Sequence, residues 1–181
     1  MPPTERALHS CAIFDSPAER LRVMCRHLAD GLGRGLLALG LVEEVSPREL
    51  TDGLERDGID AGLQVALGAL RIRRARAVYV RHGAFDPMSM IALVAETERE
   101  ARLAGYRGLC AAGDMSWALS DDPGADRLVE YEYLLGRTIF SRLDVVGLCL
   151  YDARRFDPGV LRHMSKAHPV HIANIRGSAT G

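Results

Sequence analysis

Short apolar runs alternate with amphipathic stretches along the chain, and most junctions carry a cap or a turn residue. Residues 8–14, LHSCAIF, form an apolar run of the length a buried strand needs. Asp15-Ser16-Pro17 follows, an N-cap signal with a proline in the first helical turn. The helix it predicts, AERLRVMCRHLADGL, places Leu21, Met24, Cys25 and Leu28 on one face and stops at Gly31 or Gly33. A second strand is expected over 36–42. Ser46-Pro47-Arg48-Glu49 then opens a helix with capping-box spacing that ends near Gly58. The stretch 62–80 is ambiguous: LQVAL fits a strand or the middle of a helix, and AVYV (77–80) reads as a short strand or an extended run toward Gly83.

The second half is plainer. Phe85-Asp86-Pro87 begins a long helix to about Ala104, with Met90, Ile91, Val94 and Glu98 at helical spacing. GLCAAGDM (108–115) is a strand of small residues, and Asp121-Asp122-Pro123-Gly124 turns into a helix reaching Phe140. VVGLCLYD (145–152) is the most strand-like run of the chain. Asp157-Pro158 starts a short helix, and HPVHIANI (168–175) closes as a strand. Strands separated by helices predict a three-layer α/β fold with a mostly parallel sheet covered on both faces. The expected organisation is an N-terminal extension over 1–7, one domain over 8–175 and a flexible tail over 176–181.

Composition narrows the function. With 23 basic and 24 acidic residues in 181, the net charge is −1. That excludes a protein built to coat nucleic acid or an anionic membrane, which needs a clear basic excess. No apolar run approaches the roughly 20 residues of a membrane span, and MPPTERALHS lacks the apolar segment of a secretory signal. A cytoplasmic protein is expected. Its four cysteines, Cys11, Cys25, Cys110 and Cys149, lie far apart and fit no zinc or iron–sulfur spacing.

The motifs argue against nucleotide hydrolysis. Gly31, Gly33 and Gly35 follow a helix, and Leu36-Leu37 stand where a phosphate loop needs Lys and Ser/Thr. VVGLCLYD resembles the apolar strand whose terminal acid, here Asp152, holds magnesium in ATPases, but it has no phosphate loop to serve. No nucleophile elbow, HExxH or paired Cys/His constellation is present, so an enzyme is not expected. His168 and His171 alternate along a strand and read as satisfied or exposed residues, and His27 as a helix-surface residue. His9 and Cys11 share one face of the first strand and could present an imidazole and a sulfur to a ligand. In GDMSWALSDDPG (113–124), Asp114, Met115 and Trp117 occupy the loop beyond a strand end, where open parallel sheets bind ligands. Glu132 falls beside the buried stripe Leu128, Tyr131, Leu135 and Ile139 and must find a partner there, with Arg155 or another arginine as the candidate. RIRRAR (71–76) is a local basic patch, read as a solvated face or a partner surface.

HSCAIFD (9–15), GAFDPMSMI (83–91), GYRGLCAAGDMSWAL (105–119), LVEYEYLL (128–135), LCLYDARRF (148–156) and AHPV (167–170), in that order and spacing, resemble the MEDS domain. This is the sensory domain of methanogen and methylotroph regulators of the dichloromethane-repressor type. The resemblance runs over about residues 8–175. The segment 36–76 departs from the pattern, with Gly35-Leu36 where members show Gly-Glu. The resemblance implies a RecA/KaiC-like fold without a functional phosphate loop and a role in sensing small organic molecules. It also implies ligand-binding candidates at His9, Cys11, Phe14, Asp114, Met115, Trp117, Glu132, Cys149, Tyr151 and Arg155.

The leading expectation is therefore a small-molecule-sensing regulatory domain that acts in signal transduction or transcriptional control through a partner protein. A partner-switching interaction module docking through Arg71, Arg73, Arg74 and Arg76 is the second reading, and an unrecognised enzyme resting on Glu132 or Asp152 the third. No cofactor is predicted, although a metal or haem beside His9 and Cys11 stays open, and a homodimer is compatible with the sequence.

Overall fold

Alternation along the strands decides which helices cover which face of the sheet. The computed structural model describes residues 9–172. In β1 (His9–Phe14), Cys11 and Ile13 join one apolar cluster while Ala12 and Phe14 join another. β5 (Val145–Asp152) behaves the same way, with Val145, Cys149 and Tyr151 on the first side and Leu148 and Leu150 on the second. Both strands are buried on both faces, as interior strands of a parallel sheet are.

Six strands run in the order β3-β2-β4-β5-β1-β6, completed by β2 (Leu37–Val42), β3 (Leu70–Arg74), β4 (Leu109–Asp114) and β6 (Val170–His171). All five strand pairings are parallel. On one face, α1 (Pro17–Gly33), α2 (Pro47–Arg56) and α3 (Ala61–Ala66) contribute Met24, Leu28, Leu50, Leu54 and Ala61. On the other, the short α4 (Ala75–Tyr79) and α5 (Pro87–Leu103), α6 (Leu128–Thr138) and α7 (Pro158–Ala167) contribute Tyr79, Met90, Tyr131, Leu135 and Met164. This is the expected three-layer α/β arrangement.

The caps fall where the sequence puts them. Ser16 accepts from the Glu19 amide, Ser46 and Glu49 close a reciprocal capping box, and Asp86 and Asp157 cap α5 and α7. Four readings change. LQVAL is resolved in favour of helix, within α3, and AVYV lies mostly in α4 rather than in a strand. RIRRAR is therefore split between the edge strand β3 and the first turn of α4. The helix expected to follow Gly124 begins as a 3₁₀ turn over Ala125–Arg127 and becomes α-helical at Leu128. Of the last expected strand only Val170–His171 forms a ladder, while the extension 1–7, residues 173–175 and the tail lie outside the described residues.

β1 and β5 are neighbours whose following helices go to opposite faces, so their carboxyl ends form the topological switch point where such sheets bind ligands. Here it is stitched shut. Only Asp15 and Ser16 separate β1 from α1, and the Ala153 amide donates to the Phe14 carbonyl at 2.8 Å. A two-residue connection is too short to wrap a phosphate. The α1 N-terminus, the usual phosphate cradle, is occupied by the Ser16 hydroxyl and by the Glu19 carboxylate, which accepts from the Asp15 amide.

At its other end α1 rests directly on β4. A methyl group at Gly31 would sit 2.5 Å from Cβ and Sγ of Cys110. Gly31→Ala must push the helix off the sheet, and we expect a loss of about 1–3 kcal/mol, read as a lower urea midpoint at unchanged slope.

Candidate functional site

Five polar side chains from four elements meet in the otherwise apolar layer between the sheet and α6–α7. The β1–β5 register pairs Cys11 with Cys149 and Ile13 with Tyr151, placing Cys149 and Tyr151 on the face that His9 shares with Cys11. α6 brings Glu132 down onto that face. His168, which caps the C-terminus of α7, closes the group from the side.

Glu132 is the hub and has no exposed surface. Its Oε1 accepts from the Tyr151 hydroxyl. Its Oε2 faces His9 Nε2 at 3.1 Å, His168 Nε2 at 3.3 Å and the Cys149 thiol, which donates at 3.5 Å. His9 stacks on Phe140 with ring centroids 4.3 Å apart, and its ring centroid lies 3.9 Å from that of His168. Gly147 makes this stack possible, since a Cβ there would enter the Phe140 ring.

Burial alone would raise the Glu132 carboxyl, but hydrogen bonds and charge from His168 and His9 outweigh it and hold it below the usual carboxylate range. Burial dominates at His9 and pushes the imidazole down. At His168 the same burial is overcome by Glu132, and that imidazole is raised. The Cys149 thiol is driven well up by burial and by the neighbouring carboxylate. Burial thus favours a neutral His9 and a protonated Cys149 thiol, while the Glu132 carboxylate favours the charged form of His168.

Four of the sequence-predicted residues, His9, Glu132, Cys149 and Tyr151, are brought together. Cys11 is buried on the same face, its thiol raised to about 11 by burial, but it stands outside the contacts of Glu132. The others lie elsewhere. Asp114 ends β4 and accepts from Arg20 at 3.1 Å and from the Ser116 and Glu44 amides. Phe14 carries the Arg20 guanidinium over its ring at 5.2 Å. Met115 and Trp117 are core residues. Trp117 stacks on Tyr79 at 4.6 Å and packs on Phe85, so its ring faces the interior and not a crevice. Arg155 pairs with Glu44 and does not reach Glu132. The partners of that carboxylate are histidines, not arginines, because they arrive from β1 and α7. Among the basic run, Arg71 pairs with Glu100 and Arg76 with Asp122, leaving Arg73 and Arg74 on the exposed edge. His168 is the residue that sequence reasoning placed elsewhere. Its signal was the proline that follows it, which ends α7 and fixes the imidazole at the helix terminus.

The open crevice expected at the strand ends is filled by these ion pairs. A cavity of about 50 Å³ lies instead between the sheet and α5–α6, lined by Leu39, Leu41, Val94, Ala111, Gly147 and Cys149 among others. Ala111 lines it, while the room left by Gly147 and Gly113 is taken by Phe140 and Tyr79, which also line it. Its size suits a few-atom apolar guest, not a macrocycle. A wider depression between residues 118–129 and the start of α7 is bordered by four carboxylates, of which Asp122 is held by Arg76 and Ser120 and Asp157 caps a helix.

A family model described as MEDS, the MEthanogen/methylotroph, DcmR Sensory domain, matches residues 8–169. The chain belongs to this family. A curated relative of this MEDS domain, the transcriptional repressor DcmR of Methylorubrum extorquens, is 27% identical over 175 residues. The match takes in 88% of the present chain and 57% of the repressor, so the MEDS chain spans little more than half the length of that relative. Among solved structures, a KaiC-like protein from Pyrococcus horikoshii aligns with a TM-score of 0.60 at 9% identity, over 93% of this chain and 73% of its own. That likeness shows the fold, a RecA/KaiC-like one.

Removing one member of a buried charge network leaves the others uncompensated. Glu132→Ala in the MEDS domain is expected to cost about 3–5 kcal/mol, against less than about 1 kcal/mol for Arg155→Ala, whose ion pair is solvent-exposed. Chemical denaturation of the two variants measures the contrast.

Proposed function

We propose that this domain senses a small organic molecule in the cavity between the sheet and α5–α6, and that it reports occupancy to a partner protein in signal transduction or transcriptional control without performing a reaction. The observation that carries the reading is the cavity itself: about 50 Å³, apolar, and bordered on one side by Cys149 of the polar cluster. The family's designation as a sensory domain and the name of the repressor relative support it. The non-catalytic assignment rests on the buried state of every nucleophile near the cavity. Among the described residues no helix is long and apolar enough to cross a membrane.

A guest must favour one arrangement of the walls to carry a signal. Tyr79 lines the cavity and stacks on Trp117, and it also meets Tyr131 edge-on, next in sequence to Glu132. Occupancy is therefore coupled both to the indole and to the polar cluster. Arg73 and Arg74 give a second reading some weight: they are exposed on an edge strand, make no ion pair among the described residues, and would suit an acidic partner surface. Charge reversal at both positions is expected to abolish partner capture while leaving ligand binding intact.

The test is thermal unfolding and Trp117 fluorescence against a panel of halogenated and oxygenated molecules of one to three carbons. A binder is expected to stabilise the domain as RT ln(1 + [L]/Kd), about 2.7 kcal/mol at a hundredfold excess over Kd. Ala111→Val, which fills the cavity, is expected to remove that stabilisation while the domain stays folded. No shift in melting or fluorescence across the panel would overturn the proposal.

A further inference from the structure

The cluster around Glu132 has features that a structural ion pair does not require. His9, Glu132, Cys149 and His168 each offer one ligand atom, and these four atoms all lie within 4.8 Å of one another. Four measured separations are 3.1, 3.3, 3.5 and 3.8 Å. Tetrahedral zinc, with bonds of about 2.0–2.3 Å, needs ligand atoms roughly 3.3–3.8 Å apart.

The tautomer of His168 points the same way. Its Nδ1 lies 2.7 Å from the Met164 carbonyl, which can only accept, so Nδ1 carries the proton. That leaves Nε2 facing the Glu132 carboxylate at 3.3 Å, and this fully buried nitrogen still makes no hydrogen bond of acceptable geometry. A backbone carbonyl holding the far nitrogen is also how metal-bound histidines are commonly oriented. Glu132 is divided in the same sense: Tyr151 occupies Oε1 and leaves Oε2 to the other three donors.

We propose that His9, Glu132, Cys149 and His168 form a four-coordinate zinc site, with Tyr151 as the positioning residue for the carboxylate. Two imidazoles, a thiolate and a carboxylate are a mixed donor set that zinc accepts and that the oxygen-seeking calcium and magnesium do not. Binding forms one Zn–S, one Zn–O and two Zn–N bonds and releases the thiol proton and the proton of the imidazolium to solvent. The loaded site sums to zero charge: Zn²⁺ against one thiolate and one carboxylate. Neutrality suits a location where His9, Glu132 and His168 are each at most 2% exposed. Such a closed site is filled as the chain folds, so the metal adds to stability. The site is argued from the donor geometry alone and does not depend on the sensing proposal, although Cys149 borders the cavity as well.

The experiment is expression of the full chain in minimal medium supplemented with zinc or with cobalt, followed by elemental analysis and absorption spectroscopy. One equivalent of metal per chain is expected. The cobalt protein is expected to show a near-ultraviolet thiolate-to-metal band and the visible bands of tetrahedral Co²⁺. Cys149→Ser should lose the thiolate band, Cys11→Ser should keep it, and Tyr151→Phe should weaken metal retention 10- to 100-fold. X-ray absorption on the wild-type zinc protein covers the case in which the Cys149 variant does not fold: one sulfur at about 2.3 Å and nitrogen or oxygen at about 2.0 Å are expected. A folded wild-type protein without stoichiometric metal, a coordination shell without sulfur, or a thiolate band that survives in Cys149→Ser would each overturn the assignment.

Discussion

A carboxylate with no access to water constrains everything around it. Glu132 sits in the middle of an apolar layer, and a charge in that position is tolerated only if surrounding groups replace its hydration. The replacement comes from both neighbouring central strands and from the end of α7, so the cluster fixes how α6 and α7 lie on β1 and β5. The geometry is expensive to alter at any one point. Phe140 holds His9 in place, Gly147 leaves room for Phe140, and the Met164 carbonyl orients His168.

The cavity and the cluster share a cause as well as a wall. Gly147 and Gly113 give up side-chain volume to Phe140 and Tyr79, and both rings line the cavity together with Ala111. The aromatic group of Tyr79, Phe85, Trp117 and Tyr131 packs beside it. The cavity and the polar hub therefore draw on one pattern of large and small side chains.

Much of the framework was legible in the chain. Caps at Ser16, Ser46, Asp86 and Asp157, together with strand lengths and alternation, predicted the layers and most element boundaries, and the motif order identified the family. Glu132 stood out as a carboxylate on an apolar stripe, and His9 through its position on the first strand. Their meeting with His168 did not follow, because local patterns do not say which end of one helix lies beside the middle of another. The open crevice expected at the strand ends does not form there, for a related reason. Arg20, Asp114, Glu44 and Arg155 look like free polar residues in sequence, yet they neutralise one another across the strand ends. The short strand or extended run expected at 77–80 is mostly helical instead, because four residues are too few to distinguish periodicities.

The two-residue turn between β1 and α1 has a thermodynamic consequence. It closes the switch point of the sheet with a backbone hydrogen bond and two capping side chains, leaving no open loop there to wrap a phosphate. Under the sensing function proposed above, a response powered by binding alone would be reversible and set by mass action. Its sensitivity would then be bounded by the free energy of the guest's own contacts.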